Sequence, residues 1–220
     1  RQAGLSELTG GVSILVSQMI AGRQGVPVLS AKASWENGTV RTSMLAEPLR
    51  QINVHAEYVD GSFDIVDSTM ELAGGTVTVN GRVEDVLAAQ IFSFQVQTER
   101  LGIAGLIPPF HPDISIAGLA DTALEIKGAG FHPLSALQNI SGQAAARVTE
   151  GRIVNFNLLN FVFNQISFLP AVALDFQEAL PRKFQNQLHQ PDTHLGEVDV
   201  KTDISGGIVT YRNTIVMDAA

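Results

Sequence analysis

Apolar and polar residues alternate along much of the chain with a period of two, which is typical of β-strands that bury one face. The alternation is clear in Ile52, Val54 and Ala56, and again where Phe92 and Phe94 flank a serine. Because successive side chains of a strand point to opposite faces, each such segment places its apolar residues on one side. The pattern therefore predicts a sheet with one apolar face.

Short units that contain glycine recur between these segments. They occupy residues 35–40, 58–63, 72–77, 148–153 and 204–209, and several carry Asn-Gly, Asp-Gly or Gly-Gly. Such pairs favour positive φ at the central turn positions, which matches the twist of two paired strands. Each unit therefore predicts a β-hairpin.

The bounds of the predicted strands carry a tolerance of about two to four residues at each end. These strands cover residues 10–17, 28–35, 39–46, 51–59, 62–66, 68–73, 76–83, 90–98, 113–119, 122–128, 143–149, 152–155, 197–204 and 208–217. No long helical period separates most of these segments, which disfavours parallel βαβ winding. The sequence predicts a mostly β fold with an antiparallel sheet of hairpins or meanders.

The length of 220 residues suits one large β domain or two small ones. We expect a single β-rich domain over residues 1–220. Residues 106–112 contain three prolines and are predicted to form a loop, because proline cannot donate to a central strand. This loop is the point at which the sheet could divide into two parts.

Two segments lack the strand pattern and are predicted to be helical. Residues 156–168 are mostly apolar, and three asparagines recur among them at helical spacing: Asn157, Asn160 and Asn164. This spacing predicts a very apolar helix. A second helix is predicted within residues 175–188, where Pro181 either kinks it or marks its start.

The composition is apolar for a chain without membrane spans. Charged residues make up 16%, and the mean hydropathy is +0.16. An average soluble domain has roughly 25% charged residues. No run approaches the roughly 18 to 20 apolar residues that a transmembrane helix needs, so we expect the apolar surplus to lie along sheet faces.

Charge and cysteine content narrow the classes of partner and site. The net charge of −8 and the pI of about 5.0 disfavour nucleic acid, because phosphate binding uses clustered Lys and Arg. Cysteine is absent from the sequence, which excludes disulfides and thiolate metal sites. The chain opens at Arg1 without a secretion signal. We expect a processed protein or a fragment of a longer one whose membrane anchor lies outside this sequence.

Catalytic and metal-binding motifs are absent from the sequence. It contains no nucleophile elbow, phosphate loop, dinucleotide fingerprint or EF-hand spacing. The strongest metal candidate is the pair His189 and His194 with Asp192 between them, and we interpret these histidines as structural or solvated. We therefore expect a non-enzymatic protein without a metal or cofactor. An enzyme whose site is assembled from distant residues is the reserve hypothesis.

A family resemblance is carried by the second half of the chain. Residues 140–159 contain a small-residue strand, an acidic-Gly turn, a second strand and an Asn-Leu-rich helix start. This order resembles the C-terminal region of AsmA-like proteins. Residues 196–210 are similar to the closing hairpin of that family, and the turns at Gly38, Gly61 and Gly75 are consistent with it.

The resemblance implies a Gram-negative envelope protein that extends into the periplasm from an inner-membrane anchor. Members of the family are associated with outer-membrane lipid homeostasis, and larger relatives form long, curved sheets with an apolar groove for phospholipid. We therefore expect an extended, curved sheet with one or two short helices packed on or capping the apolar face. The expected ligands are lipid acyl chains, and no particular protein partner is indicated.

The residues expected to line the lipid-binding surface lie on three predicted strands and the first predicted helix. They are Val77, Val79, Phe92, Phe94, Val96, Leu124, Ile126, Leu159, Val162, Phe163 and Ile166. Two functions remain open. The face binds or transfers phospholipid, or the helix at 156–168 fills it and the protein is a scaffold or assembly factor for outer-membrane biogenesis. The helix could accordingly be a lid or a permanent plug.

Overall fold

The structure, a computed structural model, describes residues 5–20, 28–43, 45–106, 113–132, 138–166 and 182–216. The strands are β1 (Leu5–Ile20), β2 (Val28–Thr42), β3 (Leu49–Val59), β4 (Ser62–Leu72), β5 (Gly75–Glu84), β6 (Ile91–Gly102), β7 (Ser115–Ala129), β8 (Ser141–Val154), β9 (Thr193–His194), β10 (Glu197–Ser205) and β11 (Ile208–Val216). The helices include α1 (Ile103–Leu106), α2 (Leu158–Ile166) and α3 (Arg182–Gln187).

The strands form one antiparallel sheet of 11 strands. Neighbours in the sheet follow the sequence order from β1 to β8, and β10 and β11 continue it. The short β9 pairs with the end of β8, beyond the residues of β8 that pair with β10. The predicted fold class, a mostly β antiparallel sheet with short helices, is confirmed.

The predicted hairpins are partly wrong. The units at Gly61, Gly74 and Gly206 do turn the chain between adjacent strands. The units around Asn37 and Glu150 do not, because β2 and β8 run straight through them. Both residues have positive φ, 52° and 54°, and lie where the pairing register shifts, as in a β-bulge.

Bulges also explain strands that were predicted as broken. Segments 62–66 and 68–73 are one strand, β4, interrupted only by a register shift at Asp67 with a φ of 46°. Segments 113–119 and 122–128 also merge into β7 from Ser115 onwards, although β7 has no positive φ between them. In β4 a positive φ therefore marks an extra residue within a continuous strand, rather than its end.

Side chains of neighbouring strands satisfy the backbone at three of these bulges. Asn37 N donates to Asn53 Oδ1 at 3.1 Å, and Asp67 N donates to Asn80 Oδ1 at 2.8 Å. Arg100 N, where φ is 54°, donates to an oxygen of Asp121 at 2.7 Å. A bulge leaves a backbone group without its ladder partner, and a short polar side chain from the next strand replaces that partner.

The strand registers collect the apolar residues on one side of the sheet, which we call the apolar face. From β3 to β10 it comprises Ile52, Val54, Ala56, Tyr58, Phe63, Ile65, Ser68, Met70, Leu72, Gly75, Val77, Val79, Gly81, Val83, Phe92, Phe94, Val96, Thr98, Leu101, Ala120, Thr122, Leu124, Ile126, Gly128, Gly142, Ala144, Ala146, Val148, Val198, Val200, Thr202 and Ile204. None of these residues is charged. The face continues into β1 with Val12, Ile14 and Val16, and into β11 with Val209 and Tyr211.

The opposite side, the polar face, carries ion pairs between strands. Arg147 on β8 lies 2.7 Å from Glu197 and 3.1 Å from Asp199, both on β10. The hydrogen bond and negative charge of Asp199 raise the pKa of Arg147, and the charge of Glu197 adds to this. Such cross-strand pairs favour one register over a slip that would turn the apolar residues to the polar side.

One end of the apolar face is covered by the chain itself, and we call it the capped end. Leu72, Val77, Leu101 and Ala120 form a buried cluster there. Around it pack residues of α1 and of the β2–β3 connection: Leu45, Ile103 and Leu106. Glu47 N donates to Gly105 O at 3.2 Å, which ties this connection to α1.

The predicted helices are present in the described parts of their ranges. α2 lies within 156–168, and α3 begins at Arg182, directly after the predicted kink or start. Residues 107–112 of the predicted loop, and residues 167–168 and 175–181 of the predicted helices, lie outside the described residues. β6 and β7, on either side of that loop, pair directly. None of the described helices has the length and apolarity that crossing a bilayer requires.

Candidate functional site

The strand residues predicted to line the site share the apolar face in aligned rows. Val79, Val96 and Leu124 are direct partners across β5, β6 and β7. Phe94 and Ile126 form the next row. Because directly opposed side chains lie about 4.5 to 5.5 Å apart at Cβ, each row is a continuous apolar contact across the sheet.

Two glycines let the phenylalanine rings lie against the backbone. A Cβ built on Gly81 would lie 2.2 Å from the ring of Phe94, and one built on Gly128 would lie 2.6 Å from the ring of Phe92. The ring of Phe92 also stacks on Phe131, with centroids 5.8 Å apart. Aromatic side chains often cover a glycine of a neighbouring strand in this way. The result is an aromatic cluster at the end of the face opposite the capped end.

The predicted residues differ in how much surface they leave for a ligand. Val77 and Phe92 are buried, with 8% and 6% of their surface exposed, so they belong to the packed interior. Val79, Phe94, Val96, Leu124 and Ile126 are half-buried. The surface that a ligand could cover therefore lies towards β6 and β7.

Sequence reasoning missed the continuation of this surface over β8 and β10. On β8 the apolar face shows small residues from Ser141 to Arg147, namely Gly142, Ala144 and Ala146, before Val148 follows at the capped end. Val200, Thr202 and Ile204 on β10 lie beyond them, and Thr122, Leu124 and Ile126 on β7 lie on the other side, so one threonine contributes to each flank. Strands lie about 4.8 Å apart, so the small residues form the floor of a strip about 10 Å wide between larger side chains.

A second region missed from the sequence surrounds Trp35. Its Nε1 donates to Thr9 O at 3.1 Å, and its ring covers Gly10 and Gly38. A hollow of about 330 Å³ lies beside it, lined by Leu8, Thr9, Gly10, Val12 and Trp35. The alternation in this part of the chain predicts the strands, but not that the tryptophan lies across two glycines.

A larger hollow, about 550 Å³, lies on the other side of the sheet. Polar-face residues dominate its lining, among them Gln97, Ala123, Ala145, Lys201 and Arg212. The two alanines are register partners, and so are Lys201 and Arg212. Its lining includes the charged residues Lys201, Asp203 and Arg212, and the hollow is not part of the apolar face.

Helix α2 begins at a well-capped end. Asn157 Oδ1 accepts a hydrogen bond from Asn160 N at 2.7 Å, the arrangement of an N-cap. Leu158 N donates to Thr193 Oγ1 at 2.7 Å, and the Thr193 hydroxyl donates to Phe156 O at 2.7 Å. Asn157 Nδ2 also donates to Gln190 O at 2.6 Å, so Asn157 and Thr193 together attach the start of the helix to the segment that forms β9.

The helix residues predicted for the site are not brought onto the rows of β5 to β7 in the part of the chain that the structure describes. Leu159 and Phe163 are half-buried, and Val162 is 44% exposed. The backbone of Ile166 ends α2, but its side chain lies outside the described residues. None of the described side chains of α2 belongs to the buried cluster at the capped end. A role for this helix as lid or plug stays a prediction.

The carboxylate of Asp192, which lies between the two histidines of the metal candidate, binds protein groups instead. Asp192 Oδ1 accepts a hydrogen bond from Asn155 N at 2.8 Å, and Oδ2 lies 3.7 Å from Arg152 Nε. His189 Nδ1 lies 3.2 Å from Gln185 O, while His194 is exposed on β9. Within the described ranges, no three His, Asp or Glu side chains are grouped to hold a metal ion.

Comparison with known protein families, curated proteins and solved structures finds no match to this chain. The resemblance to AsmA-like proteins therefore stays a prediction that depends on the residues of the sequence.

Proposed function

We propose that this chain is a non-enzymatic lipid-binding protein whose apolar face holds the acyl chains of phospholipids. In this proposal it binds or transfers lipid in the periplasm and serves outer-membrane homeostasis, as its resemblance to AsmA-like proteins suggests. The site would need no catalytic residue and no cofactor, because burial of methylene groups drives binding by about 0.8 kcal/mol each.

The observation that carries the proposal is the unbroken, uncharged face that the strand registers create from β3 to β10. A charged side chain in contact with an acyl chain would be costly to desolvate. Every charged residue of these strands instead lies on the polar face or at a bulge or strand end. The face is therefore suited to a ligand that is apolar along its whole length.

The strip over β8 is the part of the face best shaped for such a chain. Its floor is formed by Gly142, Ala144 and Ala146, while Leu124 and Val200 flank it. Towards the capped end the strip reaches Val148, which packs against the buried cluster that α1 also covers. We place the acyl chain along β8, with its terminal methyl towards the capped end.

The scaffold function is the second candidate, and one observation favours it. At the capped end the chain covers its own apolar face with Leu45, Ile103 and Leu106. If the remaining face is covered in the same way by protein, the chain acts as an assembly factor and binds no lipid.

Native mass spectrometry of the purified protein tests the proposal, combined with binding of a fluorescent phospholipid. Leu124→Glu places a charge on the apolar face, and Ala123→Glu places the same charge one residue away on the polar face. Val209→Glu and Ile208→Glu form a second pair at exposed positions, 58% and 71%, where folding tolerates a charge. We expect bound phospholipid in the parent protein, and weaker lipid binding only in Leu124→Glu and Val209→Glu.

Thermal unfolding of all four variants separates a binding defect from a folding defect. The proposal is wrong if the parent protein neither carries nor binds phospholipid. It is also wrong if Val209→Glu and Ile208→Glu, both folded, reduce binding equally, because lipid would then not distinguish the two faces.

A further inference from the structure

The first strand presents a long edge that pairs with no other described strand. In the part of the chain that the structure describes, β1 pairs with β2 alone, so the backbone groups along its other side have no strand beside them. From Leu8 to Ile20 the strand contains no charged residue and no proline. Proteins usually protect edge strands with lysine, proline or short length, because a bare edge pairs readily with another chain.

The side chains of β1 are exposed on both faces of the sheet. Val12, Ile14 and Val16, on the apolar face, are 69%, 71% and 53% exposed. Leu15 points to the polar face, where its register partner is Lys32, and is 65% exposed. A solvated edge would carry polar residues on at least one side. Apolar residues on both sides indicate an edge that is covered.

The central part of the strand is regular and self-complementary. Register shifts occur at Thr9/Gly11 and at Val16/Gln18, so residues 11–16 between them are regular. In an antiparallel pair of two such strands centred on Ile14, Val12 of one copy lies opposite Val16 of the other, and the two Ile14 residues face each other. All these side chains are apolar, and no like charges meet.

We propose that β1 pairs antiparallel with β1 of a second copy of this chain, about a two-fold axis at Ile14. An isologous contact of this kind closes on itself and gives a dimer rather than a filament. With the axis perpendicular to the sheet, both apolar faces lie on the same side. The dimer would then have one apolar face that runs through both copies. This pairing does not depend on lipid binding.

The opposite edge is a less suitable partner for β1. β11 carries Arg212 in its middle, where its register partner Lys201 already supplies a second positive charge. Pairing of β1 with β11 would also be heterologous and would produce open assemblies. Sedimentation of the full chain distinguishes a closed dimer from such assemblies.

Two matched charge substitutions test the interface. Ile14→Glu brings two carboxylates together at the axis, and Ile208→Glu makes the same change on β11. Both parent side chains are 71% exposed, so neither change empties a core position. By sedimentation velocity over about 1 to 100 µM, we expect a dimer for the parent and for Ile208→Glu, and at least about tenfold weaker association for Ile14→Glu.

Cysteine cross-linking gives an independent measurement, because the sequence has no native cysteine. Oxidation should link Ile14→Cys into a disulfide dimer at low protein concentration and leave Ile208→Cys mostly monomeric. The inference is overturned if the parent protein is a monomer throughout the range. It is equally overturned if Ile208→Glu weakens association as much as Ile14→Glu, which would indicate contact between β1 and β11. Lipid binding by a monomer would leave the proposed function intact.

Discussion

The carboxylate of Asp121 on β7 accepts a hydrogen bond from the backbone N–H of Arg100 on β6 at 2.7 Å. Arg100 lies between Thr98 and Leu101, which pair with consecutive apolar-face positions of β7 across a register shift. Glu99 and Arg100 together oppose the single residue Asp121 and are exposed, so both Thr98 and Leu101 stay buried. Asp121 thus stabilises a bulge that keeps the apolar face continuous.

We predict that Asp121→Ala destabilises the protein, because the bulge loses the acceptor for its backbone N–H. The expected loss is about 0.5 to 1.5 kcal/mol, as for one hydrogen bond. Asp121→Asn retains the side-chain oxygen and is the matched control. Urea unfolding measures both, and equal losses would mean that the charge of Asp121 matters rather than the hydrogen bond.

We predict that Gly81→Ala displaces the ring of Phe94. A Cβ at this position would lie 2.2 Å from the ring, so the ring or the strand must move, at about 1 to 3 kcal/mol. Gly11→Ala is the control, because a Cβ there has no atom within 4 Å. Thermal unfolding at one protein concentration should separate the two variants. Equal stability would show that Phe94 moves away freely.

We predict that Phe163→Ala changes lipid binding more than it changes stability. Phe163 is half-buried, and α2 adds none of its described side chains to the buried cluster. A permanent plug would leave a cavity and lose about 3 to 5 kcal/mol, whereas a lid would lose less. Phe161→Ala, at a side chain that is 49% exposed, is the control in the same helix. A loss as large as that of a plug, without any effect on lipid binding, would contradict the lid.

The turn units show where local sequence stops being informative. Asp60-Gly61 ends a strand, whereas Asn37-Gly38 lies inside one, although both pairs favour positive φ. The difference comes from pairing partners: β1 and β3 both extend past Asn37 and hold β2 between them. Those partners are distant in sequence, so the local pattern cannot distinguish a hairpin from a bulge.

The residues of the candidate site also divide into those that the local sequence pattern predicts and those that it does not. Period-two alternation correctly placed Phe94, Val96 and Leu124 on one face, because direction within a strand is a local property. The floor at Ala144 was missed, since small residues give no apolar signal and only the register with β7 reveals their position. The position of α2 depends on its contacts with Thr193, 35 residues after Leu158, which no local pattern predicts.

The sequential strand order of the sheet has a consequence for how the chain acquires its structure. From β1 to β8 each strand pairs with the one that precedes it in the sequence, so few pairings must wait for a distant segment. Contacts between segments close in sequence need little loop closure and form quickly. During synthesis, which proceeds from the N-terminus, the chain can therefore add strands one at a time to an existing edge. Until β2 pairs with it, however, the apolar β1 has no partner among the described strands, and a bare strand of this kind is prone to aggregate. We expect β1, rather than the later strands, to need protection until β2 has paired with it.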